Sequence, residues 1–186
     1  MIAEKRSVNG DDGVKIEELK ALLDLEPHPR EGGCFVRTWQ SREVVPHAML
    51  PARYTGPRLA GTAIYYLLEA YTFSEMHRLR SDEVFHFYLG GPVEMLQLLP
   101  DGTGRVVMLG HDLAAGMRPQ VVVPQGVWQG SRLAARGGAP DEEPFALIGC
   151  TVSPGFDFED YESGDRAALV REYPEHRALI EALTRS

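Results

Sequence analysis

The 186-residue sequence has few cysteines, no long apolar run and no cluster of basic residues. Its two cysteines, Cys34 and Cys150, each lie in an apolar, strand-like run, which indicates buried thiols rather than a disulfide. No apolar stretch approaches the roughly 20 residues that cross a bilayer, so no membrane span is predicted. The net charge is -8 and the Lys and Arg residues are scattered, which argues against nucleic-acid binding through bulk electrostatics.

The first residues of the chain, 1–13, lack the apolar core of a signal peptide, and their polar composition predicts a flexible tail. Without such a signal, and with two reduced cysteines, a cytoplasmic location is expected. Residues 14–186 contain no linker and no internal repeat, and they are enough for a single domain with one core. Neither a phosphate-binding Gly-Lys-Ser/Thr loop nor a Gly-x-Ser-x-Gly nucleophile elbow occurs.

Hydrophobic periodicity predicts mostly β structure. Apolar residues recur at helical spacing over residues 14–25, which predicts a short amphipathic helix. Between residues 34 and 153, short runs of β-branched and aromatic residues alternate with Gly- and Pro-containing turns. Residues 165–183 return to a helical period, and Pro174 suits the first turn of a second C-terminal helix. We therefore expect an all-β barrel with short N- and C-terminal helices.

A histidine, a glutamate and a glycine are spaced six and then seven residues apart at His77, Glu83 and Gly90. Because alternate side chains of a strand share a face, Leu79 faces the same interior as His77. A turn at residues 81–82 lets Glu83 re-enter this interior from the next strand.

A second motif reads Pro124, Gly126 and Gln129, with one and then two residues between them. Pro124 and Gly126 bend the chain so that Gln129 faces the same interior as the first motif. The two spacings predict one small-molecule pocket, with polar groups on apolar walls. The predicted ligand-binding residues are His77, Glu83, Gln129, Phe85, Leu79 and Tyr66.

These spacings resemble the two motifs of the cupins. The longer strings at residues 25–33, 77–88, 122–130 and 149–160 are similar to the cupin family known as domain of unknown function 985. The resemblance spans about residues 14–184. It implies a double-stranded β-helix, the jelly-roll barrel of the RmlC-type dTDP-sugar epimerases, and it implies a homodimer. It does not imply a particular reaction.

A cupin metal site normally uses three histidines and one carboxylate. Here Leu79 and Gln129 stand where two of those histidines belong, so neither a tightly bound metal nor another cofactor is predicted. If a metal did bind, its ligands would be His77, Glu83 and Gln129, with His86 as a substitute. In a regular strand, however, His86 points to the face opposite Glu83.

Three functional hypotheses follow. The first is a metal-independent epimerase or isomerase that acts on a small polar molecule such as a nucleotide or sugar. His77 would be its catalytic base, Glu83 would orient His77, and Tyr66 or Tyr88 would be the acid. The second is a non-catalytic metabolite-binding or storage cupin that uses the same pocket. The third is a metal-dependent oxygenase or isomerase with a reduced ligand set.

Two further expectations concern surfaces. The apolar run at residues 64–68 is too continuous for a strand buried on one side, so a second subunit is expected to cover it in a homodimer. His28, His47, His111 and His176 lie in loop or helix contexts and are predicted to be solvated. The acidic residues Asp157, Glu159 and Asp160 are predicted to form an exposed turn.

Overall fold

The computed structural model describes residues 15–134 and 144–185. The predicted N-terminal tail, residues 1–13, lies outside the described residues. The strands form two antiparallel sheets whose inner faces share one core. The predicted all-β jelly-roll barrel is therefore confirmed.

Successive strands alternate between the two sheets over much of the chain. In spatial order the first sheet contains β1 (Glu26–Pro27), β2 (Cys34–Gln40), β5 (Thr62–Glu69), β12 (Phe145–Ser153), β7 (Asp82–Gly90) and β10 (Gln120–Val123). The second sheet contains β13 (Tyr161–Ser163), β6 (Phe73–Leu79), β11 (Trp128–Leu133), β8 (Val93–Leu98) and β9 (Gly104–Leu109). A separate small ladder joins β3 (Val44–Val45) to β4 (Arg58–Leu59).

Short helices cover the outer faces of the sheets. Helix α1 (Ile16–Leu23) packs on the first sheet and buries Leu67. Helices α2 (Arg166–Glu172) and α3 (Arg177–Ala182) pack on the second sheet, where Ile180 is fully buried. The predicted terminal helices are confirmed. Because α1 belongs to the same chain, Leu67, in the apolar run at residues 64–68 that a second subunit was expected to cover, needs no second subunit to bury it.

Inward-pointing side chains fill most of the barrel. Along β7, Glu83, Phe85 and Phe87 are buried, whereas the residues between them point outward and are less buried. The core formed with the second sheet also contains Leu68, Val93, Met95, Leu109 and Ile148. This packing ends near Phe85 and Cys150, so Glu83, next along the strand toward the β6–β7 turn, faces open space rather than a packed core.

Both cysteines, Cys34 and Cys150, are buried free thiols, as predicted. Within residues 15–134 and 144–185, each helix is too short or too polar to cross a membrane.

Candidate functional site

A cavity of about 520 Å³ opens at the end of the barrel beside the β6–β7 turn. Its apolar walls come mainly from the first sheet and from the segment that follows β12; they include Phe35, Ile64, Leu79, Val152, Phe156 and Phe158. Its polar groups include Asp24, Glu26, His28, Glu31, Arg37 and Glu83. The cavity is thus of a size and character suited to a small organic molecule.

Glu83 is the first inward-facing residue of β7, and it is only 7% exposed. One of its carboxylate oxygens accepts a hydrogen bond from Nε2 of Gln129. Burial raises the pKa of Glu83 from 4.5 to about 7, and the nearby His77 and the Gln129 hydrogen bond oppose that rise. At neutral pH this carboxyl group can therefore either donate or accept a proton.

Gln129 and His77 lie directly opposite each other on β11 and β6. Nδ1 of His77 lies 2.7 Å from the backbone oxygen of Glu75, which can only accept. In the neutral ring Nδ1 therefore carries the proton, and Nε2 accepts from the amide of Gln129 at 3.3 Å. The ring of Tyr161 stacks on His77 with a centroid separation of 4.9 Å. Both ring nitrogens of His77 thus have partners within the protein.

The two motifs do bring His77, Glu83 and Gln129 into contact, but these residues do not line the cavity equally. Glu83 and Leu79 lie on its wall. His77 and Gln129, each 2% exposed, lie behind that wall and reach the cavity through Glu83 and Glu31. All three residues were expected to contact a ligand directly, but the geometry favours direct contact only for Glu83.

His28 and Glu31, on the turn between β1 and β2, complete the polar cluster. Nδ1 of His28 accepts hydrogen bonds from the backbone nitrogens of Arg30 and Glu31, so its neutral ring carries the proton on Nε2. Burial lowers the pKa of His28. The Oε1 atom of Glu31 lies 3.8 Å from Nε2 of His28 and 3.9 Å from Nε2 of His77. The prediction that His28 is solvated was wrong.

Sequence reasoning missed this turn because a loop context does not reveal which way a loop folds. The relevant signal was the glycine pair: Gly32 and Gly33 both adopt a left-handed backbone conformation, with φ of 102° and 65°. A Cβ on Gly32 would approach the backbone oxygen of Phe73 to 2.5 Å. The turn can therefore fold tightly against the barrel mouth, which carries Glu31 inward.

The remaining predicted residues lie away from the ligand space. Tyr66 donates a hydrogen bond from its hydroxyl to the backbone oxygen of Gly32 at 2.7 Å, so it anchors the turn and does not line the cavity. Phe85 packs in the core between the sheets. Tyr88, the other candidate acid, is 41% exposed and packs edge-to-face on Tyr65, on the outer face of the sheet.

The residues at the cupin metal position do not fit a metal ion. Leu79 supplies no ligand atom, and Gln129 directs its amide nitrogen, which is not a ligand, toward Glu83 and His77. His86 lies on the outer face, where Nε2 is 3.2 Å from Oγ1 of Thr151, so it cannot substitute. In the described parts of the chain, no three His, Cys, Asp or Glu side chains are grouped to hold a metal.

Comparisons with known proteins agree with this architecture. The model of the Cupin superfamily (DUF985) family matches residues 17–164. Uncharacterized protein YML079W of Saccharomyces cerevisiae is 32% identical over 143 residues, which cover 71% of this chain and 67% of the yeast protein. Among solved structures, protein SO0799 from Shewanella oneidensis aligns with a TM-score of 0.76 and 35% identity, over 92% of this chain and 98% of that one. A hypothetical protein from Leishmania major aligns with a TM-score of 0.80 and 32% identity, over 92% and 99% of the two chains.

Proposed function

This chain belongs to the DUF985 family of the cupin superfamily, and from that membership and the geometry of the cavity we propose that it binds a small organic molecule inside the barrel and exchanges a proton with it through Glu83. The observation that carries the proposal is a buried carboxyl group, with a pKa of about 7, on the wall of a cavity of about 520 Å³. A general acid or base is most effective when its pKa lies near the working pH.

The neighbouring side chains suit this role. Gln129 donates to Glu83 and so favours the ionised carboxylate after a proton leaves. His77 fixes the Gln129 amide from the other side. His28 lines the same cavity and carries a proton on Nε2, so it can hydrogen-bond an oxygen of the ligand. This set suits proton abstraction next to a carbonyl group, the chemistry of an isomerase or epimerase, with Glu83 in place of His77 as the base.

A non-catalytic binding protein is the second candidate. It is favoured by the position of Tyr66, whose hydroxyl hydrogen-bonds Gly32 instead of facing the cavity. An epimerase of the predicted kind needs an acid opposite its base, and His28 alone would have to supply it.

Ligand binding is tested by NMR titration with a fragment library, monitoring the methyl groups of Ile64, Leu79 and Val152. These methyl groups line the cavity, whereas those of Ile180 lie outside the barrel in the C-terminal helices and serve as a control. Fragments that shift the methyl signals of Ile64, Leu79 and Val152 but not those of Ile180 support the proposal. If no fragment shifts the signals of Ile64, Leu79 and Val152, the barrel is not the binding site.

Proton transfer is tested by incubating the protein in D₂O with carbonyl compounds that shift the same methyl groups. We expect deuterium to appear on the carbon next to the carbonyl with the wild-type protein but not with Glu83→Gln. The control Glu43→Gln changes an exposed carboxylate away from the cavity and should exchange like wild type. Binding without exchange in all three proteins would instead support the non-catalytic candidate.

A further inference from the structure

Carboxyl groups outnumber cationic groups around the cavity. Its lining includes the carboxyl groups of Asp24, Glu26, Glu31 and Glu83, but Arg37 is its only arginine or lysine among the described residues. His28, the other lining side chain that could carry positive charge, is neutral at pH 7 because burial lowers its pKa from the ordinary value of 6.5. A ligand that carries phosphate or carboxylate groups would therefore meet net repulsion.

The two most enclosed carboxyl groups also lack a strong cationic partner. Within residues 15–134 and 144–185, neither Glu31 nor Glu83 forms an ion pair with a lysine or arginine; Glu31 approaches only the two imidazoles. Its Oε2 accepts a hydrogen bond from Ser74 at 2.9 Å, whereas in the described parts of the chain its Oε1 accepts none. Because the carboxylate of Glu31 lines a largely enclosed cavity and pairs with no lysine or arginine in the described residues, a positively charged ligand would gain electrostatic energy here.

The mouth of the same cavity is aromatic. Phe156 and Phe158 pack edge-to-face with centroids 5.1 Å apart, and His28 packs edge-to-face on Phe35 at 4.7 Å. The guanidinium of Arg30 lies 5.0 Å from the centre of Phe158, so that ring already binds one cation. Aromatic walls contact both flat rings and ammonium groups favourably.

We propose that the cavity selects an organic amine with a ring or other apolar body. The ammonium group would donate to Oε1 of Glu31 and lie near Glu83, while the apolar body would contact Phe35 and Phe156. This inference rests on the proposed function, because it names the chemical class of the molecule bound in the barrel. It disfavours the nucleotides that the sequence suggested as one possible ligand, because their phosphate groups carry negative charge.

Three probes of matched shape test it: 2-phenylethylamine, 2-phenylethanol and phenylacetate. Their dissociation constants are measured at about pH 8 from the methyl shifts of Ile64, Leu79 and Val152. We expect the amine to bind most tightly and the acid least, with about tenfold or more between the two, since a hydrogen bond to a charged group changes affinity by about that factor. Glu31→Gln should bring the amine and the alcohol close to equal, and Glu83→Gln should reduce their difference. Glu43→Gln should leave all three constants unchanged.

The outcomes separate this inference from the proposed function. If phenylacetate binds as tightly as the amine, or if only uncharged or anionic fragments shift the cavity methyl groups, the amine preference is wrong while binding in the barrel stands. The preference is also wrong if the amine binds best but neither Glu31→Gln nor Glu83→Gln weakens it. If nothing in the fragment library shifts those methyl groups, the proposed function itself fails.

Discussion

The Nδ1 atom of His77 donates its proton to the backbone oxygen of Glu75 at 2.7 Å, and this single contact decides the role of the histidine. In the neutral ring, Nε2 is then the only nitrogen with a free lone pair, and that lone pair already accepts a hydrogen bond from the amide of Gln129. His77 therefore supports the Gln129–Glu83 pair rather than acting on a ligand itself. A metal ion could therefore bind Nε2 of His77 only by displacing the Gln129 amide.

The first prediction concerns metal. We expect the wild-type protein, purified without chelators, to contain far less than one transition-metal ion per chain. The double variant Leu79→His with Gln129→His restores three histidines and a carboxylate, and it should bind about one Zn²⁺ per chain. Elemental analysis after dialysis measures both values.

Adding His77→Ala to the double variant is the control, and it should abolish the bound Zn²⁺. Stoichiometric metal in the wild-type protein that disappears in His77→Ala would contradict the prediction.

The second prediction is a pH dependence of stability that is specific to Glu83. Its pKa is about 7 in the folded protein, against the ordinary value of 4.5 that applies to the unfolded chain. Between pH 4.5 and pH 7 the folded protein therefore binds more protons at this group than the unfolded chain does. The stability that this group contributes is therefore fully present below about pH 4.5 and is lost as the pH rises to about 7. In Glu83→Gln this loss is absent.

Urea denaturation of both proteins at about pH 5.5 and about pH 8 measures this effect. From about pH 5.5 to about pH 8, the wild-type protein should lose about 2 kcal/mol more of its free energy of unfolding than Glu83→Gln loses. Using the difference between the proteins cancels the other groups that titrate in this range. Equal pH dependence in the two proteins would mean that the pKa of Glu83 is not raised.

Much of the fold could be predicted from the sequence, because strand periodicity and turn residues are local signals. The alternation along β7 correctly placed Glu83 inward and His86 outward. The contacts of the side chains were less predictable. Parity gives the face on which Phe85 lies, but not whether the barrel is packed or open at that height. Glu31 was missed because its position depends on how a glycine turn folds against distant strands.

The acidic turn after β12 illustrates the same limit. Composition predicted three exposed carboxylates, yet Asp160 is 4% exposed and forms two hydrogen bonds of 2.7 Å with the buried Arg58. These residues are 102 positions apart in the sequence. No local pattern connects them, so the pair could be found only from the structure.

This pair gives the third prediction. Asp160→Ala should lower the free energy of unfolding by about 3–5 kcal/mol, because it leaves the buried Arg58 guanidinium with only the exposed carboxylate of Glu159 as an ionic partner. The matched control is Glu162→Ala, which breaks the exposed pair with Arg78 and should cost less than about 1 kcal/mol. Urea denaturation measures both, and similar losses in the two variants would contradict the distinction.

The last prediction is that the protein is a homodimer formed through the outer face of the first sheet. This outer patch is the row of side chains that cross-strand pairing aligns across β2, β5, β12, β7 and β10, together with an adjacent tyrosine: Trp39, Ala63, Thr151, Val84, Val122 and Tyr88. Trp39, Val122 and Tyr88 are 51%, 48% and 41% exposed. An apolar and aromatic sheet face of this kind is typical of a subunit interface.

Helix α1 covers the neighbouring part of the same face around Leu67 but leaves the outer patch open. A second copy that presents the same patch across a two-fold axis would bury the exposed aromatic and aliphatic side chains on both chains at once. Light scattering coupled to size-exclusion chromatography at micromolar concentration should therefore give the mass of a dimer.

The double variant Val84→Glu with Val122→Glu should give a monomer, because it places four carboxylates in one interface. Val106→Glu, at a 43% exposed valine on β9 of the other sheet, should remain dimeric. A monomeric wild-type protein, or a dimer that survives the double variant, would show that the outer patch is not the interface.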